Sequence, residues 1–178
     1  MAVVVRAGAA PLWWPGLVAA GIGALVPGVT GRRIGLLSGA ALFLIALAVV
    51  AFARGGRYAG LVRGATRAGR NDVLQDRAVT VRLWRRGHRW WLLGAFLAAV
   101  ASSFAVPAAA GMLLAGAGAG LWVKAVRIGR LEHREDVLYW VRTDWVRRGR
   151  PAGKQVGGYR TTGPVAGDAA PGGARRPR

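Results

Sequence analysis

The chain predicts an all-α, polytopic membrane fold: four transmembrane helices as two tandem, like-oriented helical hairpins, each followed by a basic amphipathic cytoplasmic helix. Three observations lead there. First, the 178 residues are 53% hydrophobic, yet the net charge is +19, which requires apolar and basic residues to be segregated. Residues 90–123 carry no charge, whereas residues 54–89 carry ten arginines. Second, four apolar blocks approach the length of a bilayer crossing. Third, the phrase RNDVLQDRAVTVRLWRRG at 70–87 returns as REDVLYWVRTDWVRRG at 134–149.

The first block, PLWWPGLVAAGIGALVPG, predicts a span over 12–28, with Pro15 in its first turn and Pro27–Gly28 ending it. Only Arg6 precedes the apolar run and no A-x-A site follows it, so it reads as a retained span rather than a cleaved signal peptide. The second block, IGLLSGAALFLIALAVVAFA, is uncharged and rich in Leu, Ile, Val and Phe, and predicts a span over 34–53. Trp90–Pro107 gives the third span. The fourth, 108–126, is weakly apolar and glycine-rich, which suits protein neighbours more than lipid, and Lys124 at its end reads as snorkelling to the head groups. These spans, the cytoplasmic basic loop or helix 54–89 and a cytoplasmic helix 127–150 make one membrane domain, 1–150. Residues 151–178 are dominated by Gly, Pro and Arg and read as a disordered basic tail.

Basic residues set the orientation. With both termini and the 54–89 loop on one side, that side holds every Lys and Arg except Arg32 and Arg33. The reading is a plasma-membrane protein with both termini cytoplasmic. Arginine far outnumbers lysine, and Ala, Gly and Val abound, as in a bacterium with a GC-rich genome. The repeated phrase belongs to a longer ordered series: Trp13–Trp14 and Trp90–Trp91, Pro27 and Pro107, a Gly-led apolar run, a basic exit, R-x-D-V-L, and RRG. An internal duplication explains that order. Two spans per unit would leave the second unit oriented like the first, related by an axis along the membrane normal.

Within the phrase, Val73, Leu74, Ala78, Val81 and Trp84 recur at near-helical spacing, as do Val137, Leu138, Val141 and Trp145. Asp72 and Asp136 are expected to start these two surface helices. Basic, tryptophan-bearing helices beside a span suit the head-group layer. The expected anionic-lipid contacts are Arg70, Arg77, Arg82, Trp84, Arg85, Arg86, Arg134, Arg142, Trp145, Arg147 and Arg148. The expected helix-packing residues are Gly35 with Gly39 and Gly116 with Gly120, each pair in G-x-x-x-G spacing.

Catalytic chemistry finds little support. Cysteine is absent, which removes disulfides, thiolate zinc sites, a Cys nucleophile and a lipobox. His88 reads as a head-group histidine. His133, with Glu132, Glu135 and Asp136, reads as a solvated charge cluster rather than a metal site. GAGAG at 116–120 lies in an apolar span with no strand before it, so it is not a nucleotide loop. No catalytic residue, metal or cofactor is expected. The leading expectation is a non-enzymatic assembly or interaction component contacting anionic lipids and either a protein partner or a second copy, with specific nucleic-acid binding disfavoured. The alternatives are a membrane-tethered accessory for nucleic-acid handling or DNA transfer, and an oligomeric pore or transporter subunit.

Overall fold

A computed structural model describes residues 5–53, 55, 60, 63–68, 77–140 and 160–163. They are mostly helical. Helix α1 spans Ala9–Leu25. Its early start puts Pro11 in the first turn and Pro15 in the interior, correcting the expected position of Pro15. The helix stops at Leu25 because Val26 precedes Pro27, and a proline ring drives the preceding residue out of the α region. Val26 is accordingly extended, with φ −81° and ψ 127°. Helix α2 spans Arg32–Phe52, so Arg32 and Arg33 form its first turn. Gly31 before it has φ 78° and ψ 152°, a backbone conformation that suits glycine.

Helix α3 runs without a break over Arg77–Ser102. The separate surface helix and span expected on either side of Gly87 are therefore one helix. A lone glycine costs a helix about 1 kcal/mol, too little to stop it when no proline intervenes. It ends short of the expected Pro107: Ser103, Phe104 and Ala105 donate to Val100, Ala101 and Ser102 at 3.1, 3.3 and 3.1 Å, the tightened i→i−3 pattern of a closing turn.

Helix α4 spans Ala109–Arg134. Asp136 then takes φ 47°, and the Val137 amide donates back to the Glu132 carbonyl at 3.1 Å. This is the six-to-one bond of a Schellman stop, with aspartate in the left-handed position. The cytoplasmic helix expected over 127–150 thus ends at Arg134. Asp136 terminates a helix rather than starting one, and Leu138–Trp140 forms a strand. The first copy of the R-x-D-V-L phrase, 70–74, lies outside the described residues.

Two helices, α2 and α4, are long and apolar enough to cross a membrane, and α1 is a shorter apolar helix. Helix α4 is the axis of the packing. One face takes α1 antiparallel: a Cβ on Gly118, Gly111 or Gly23 would lie 2.6, 2.3 or 2.7 Å from Trp13 N, Ala20 N or Ala108 N. The other takes α2 parallel, with Gly39 at Met112, Gly116 at Phe43 and Gly120 at Leu47. Helices α1 and α2 meet one another through the edge-on pair Trp13–Phe43, centroids 6.2 Å apart. Helix α3 lies against α1 and α4, with Trp84 at Gly8.

These registers put the start of α1, the end of α2, Trp84 of α3 and Lys124 of α4 at one end of the bundle. The two short turns lie at the other end and are tied together: Val29 N donates to Phe104 O at 3.0 Å, and the Thr30 amide and hydroxyl both donate to Ala105 O, at 3.3 and 3.1 Å.

At the first end a small sheet forms from β1 (Thr66–Arg67), β2 (Leu138–Trp140) and β3 (Arg160–Thr162). The order is β1-β3-β2, with β3 parallel to β1 and antiparallel to β2. Within the tail expected to be disordered over 151–178, Arg160–Thr162 forms the central strand, while 151–159 and 164–178 lie outside the described residues. Thr161 and Thr162 suit a strand, Trp140 Nε1 donates to Thr162 Oγ1 at 2.8 Å, and Arg160 donates to the Thr66 hydroxyl.

Buried Tyr139 donates to a Glu135 carboxylate oxygen. Burial first, then that hydrogen bond and the charges of Glu135 and Glu132, push its pKa from 10.0 up to about 12. The folded value lies above the unfolded one, so Tyr139 contributes its stability fully below pH 10 and loses it as pH rises through about 12. We expect the latest tyrosine step in an ultraviolet absorbance titration to fall near that pH and to vanish in Tyr139→Phe. A late step surviving in that variant would assign it to another tyrosine.

Candidate functional site at the basic end

Chemistry-bearing side chains collect at the end of the bundle that carries the sheet. Helix α3 contributes Arg82, Arg85, Arg86 and Arg89, all exposed. Helix α4 contributes Arg127, Arg130 and Arg134, also exposed. Arg6 lies just before α1. Of the expected lipid contacts, Arg82, Arg85, Arg86 and Arg134 thus present guanidiniums to the surroundings. Arg77 is the first residue of α3. Arg70, Arg142, Trp145, Arg147 and Arg148 lie outside the described residues.

Trp84 departs from its expected role. It is half-buried and turned toward the protein, with its ring against Gly8 and stacked on His88, centroids 4.5 Å apart and planes 11° from parallel. His88 Nδ1 sits 3.0 Å from the Trp84 carbonyl. The reason is the continuity of α3, which stands the residue beside α1 instead of laying it flat on a surface. Among the described residues, the tryptophans that face outward are Trp14, Trp90, Trp91 and Trp122. By the helix registers all four lie toward the basic end. The opposite end exposes Leu25, Val29 and Phe104 instead. One-sided tryptophan beneath arginine has the composition of a membrane–water interface.

Two charged residues, Lys124 and Glu132, depart from their expected surroundings. Lys124 does not snorkel. It is buried, and its Nζ donates to the Ala53 and Val50 carbonyls at 2.5 and 3.2 Å. It caps the C-terminus of α2, where a cation also meets the negative end of the helix dipole. Arg127, one turn on, lies over the Phe52 ring at 4.8 Å. Glu132 is buried rather than solvated, because α4 turns it inward beside the sheet.

Arg89 belongs with the expected basic contacts although the sequence reading does not include it. It shares a face with Arg82, Arg85 and Arg86 and lies 5.2 Å from the Trp90 ring centroid. Its signal was the spacing of three, four and seven residues, visible once the helix is carried through Gly87. Gly35 and Gly39 of α2 face Pro107 and Met112, and Gly116 and Gly120 of α4 face the α2 backbone. These two pairs lie on a single helix contact. Gly111 and Gly118, which hold α1, follow no G-x-x-x-G spacing that would mark them in the sequence. Against this geometry, no protein-family model matches the chain, and no curated protein or solved structure matches it either.

Proposed function

We propose that the chain is a small, non-enzymatic integral protein of the bacterial plasma membrane. It crosses the bilayer four times with both termini cytoplasmic, and it works as an assembly or interaction component through its basic cytoplasmic end. The observation that carries this reading is α2. Only 17% of its most apolar window is buried inside the protein, and Leu36, Leu37, Leu44, Ile45, Val49 and Phe52 stand exposed. A core helix of a water-soluble protein hides such side chains, whereas lipid tails cover them. With 21 residues, α2 is about 30 Å long, the thickness of a hydrocarbon core.

The remaining helices are drawn into the same reading by their registers. Helix α4 runs parallel to α2 over the same depth, α1 runs antiparallel beside it, and α3 joins α4 through a short turn. Alternating directions give an even number of crossings between Trp14 and Trp91, which leaves the two halves like-oriented. The concentration of arginine at the sheet-bearing end assigns that end to the cytoplasm.

Because the chain lacks cysteine, single introduced cysteines report topology cleanly. Thr30→Cys, in the turn after α1, should react with a membrane-impermeant maleimide in intact cells. Thr66→Cys, in β1, should react only after lysis. Labelling of Thr66→Cys in intact cells with protection of Thr30→Cys would invert the orientation, and protection of both until lysis would remove the crossing itself.

A further inference from the structure

Helix α3 carries arginines at 82, 85, 86 and 89. At 3.6 residues per turn these fall within about 100° of arc. All four are exposed, while Trp84, set against Gly8, and His88, stacked on Trp84, occupy the other side of the helix. The arginine face continues down the helix as Leu93 and Leu97, both exposed, with exposed Trp90 on its flank. No acidic residue occurs in α3, so no carboxylate of the helix itself neutralises the stripe. The result is a ladder of guanidiniums about 10 Å long, set directly above an apolar ridge.

We propose that this ladder is a binding site for an anionic phospholipid carrying two phosphodiester groups, an inference that rests on the membrane reading above. Guanidinium pairs with phosphate through two parallel N–H···O bonds, and Arg is the side chain suited to that geometry. A lipid with one phosphodiester brings one charge and occupies one level of the ladder, leaving the other level unmatched. Two phosphodiesters joined by a short glycerol bridge match both levels at once. The acyl chains of such a lipid continue down Leu93 and Leu97. Beside that ridge Gly94 has nothing within 4 Å of where a Cβ would stand, leaving relief for a chain to pack into. Arg89, held over Trp90, sets the lowest guanidinium at the interface. A nucleic acid would satisfy the arginines but give Leu93 and Leu97 no partner, so the combined face favours lipid.

The test uses the full chain purified in detergent and offered diphosphatidylglycerol, or phosphatidylglycerol at twice the mole fraction so that charge is equal. Retained lipid is read by native mass spectrometry. The wild-type chain should retain the two-phosphate lipid at least tenfold better. The variant R82Q/R85Q/R86Q/R89Q should lose that preference, whereas R6Q/R127Q/R130Q/R134Q, which removes the same charge from the same end, should keep it. R85K/R86K retains charge and helix, and should weaken the preference severalfold because an ammonium cannot bond phosphate bidentately.

Equal retention of the two lipids at matched charge overturns the proposal, as does equal loss in both four-residue variants. So does ladder-dependent capture of a duplex oligonucleotide that excludes the lipid. Cysteine labelling of Thr30→Cys and Thr66→Cys separates this from the broader reading. Normal topology without lipid preference sinks the ladder alone, whereas lost topology sinks the membrane reading.

Discussion

Gly116→Leu should detach α2 from α4 and lower the stability of the bundle by about 3 kcal/mol or more, the upper part of the range for overpacking a close contact. A Cβ at Gly116 would lie 2.3 Å from the Phe43 carbonyl oxygen and 2.9 Å from the Phe43 Cα. Both are backbone atoms, so no rotamer change relieves the clash and the whole helix must move. Sliding along the same face is blocked one turn on, where a Cβ at Gly120 would meet the Leu47 carbonyl at 2.7 Å. The lost contact can be read locally. A disulfide between cysteines at Gly39 and Met112, which face one another across α2 and α4, should form poorly in Gly116→Leu. One between Gly8 and Leu121, on the α1 side, should still form. Gly94→Leu is the control: it meets nothing within 4 Å and replaces a poor helix former, so stability should hold or rise by up to about 1 kcal/mol. An unchanged 39–112 disulfide and unchanged unfolding in Gly116→Leu would mean that α2 does not pack where the glycines invite it.

The parts of this architecture legible in the sequence are those carried by local composition. Helix α2 is uncharged and predominantly apolar over Ile34–Phe52, with no proline to stop it. Gly116 and Gly120 stand one turn apart, a spacing that by itself announces a close-packed face. Other features were hidden because their causes are distant in the chain. The partners of Lys124 are the carbonyls of Val50 and Ala53, and no local pattern around Lys124 points to them. The Val-Leu-Tyr-Trp run at 137–140 has the β-branched and aromatic content of a strand, yet its strand partner begins at Arg160. The same letters also fit a helical stripe, and only the left-handed turn at Asp136 decides between them. The sequence reading divides α3 near residue 89, where arginine gives way to an uncharged run. Helices follow backbone continuity, so Arg82, Arg85, Arg86 and Arg89 share one face of an unbroken α3. In the second copy of the repeated phrase the helix ends at Arg134 and a strand begins at Leu138, while residues 70–76 of the first copy lie outside the described residues.

Lys124→Met should cost about 3 kcal/mol or more, well beyond the loss expected at Arg127. The substitution keeps the length and apolar stem of the side chain and removes only the ammonium. Hydrogen bonds to a charged group contribute roughly 1.5–3 kcal/mol, and Lys124 donates to the carbonyls of Val50, in the last turn of α2, and of Ala53, its C-cap. Those carbonyls have no intrahelical donors, and the buried site offers little water to replace the amine. The cation also opposes the negative end of the α2 dipole, worth a further 0.3–1 kcal/mol or so. Arg127→Met provides the contrast. Its guanidinium is exposed and lies over Phe52, an interaction worth roughly 0.5–1 kcal/mol at such a site. Chemical unfolding in micelles should therefore rank Lys124→Met far below Arg127→Met, and hydrogen exchange should show the last turn of α2 opening in the first variant only. Equal small losses in the two would mean that water already serves the α2 carbonyls and that Lys124 holds no special place among the cations of this end.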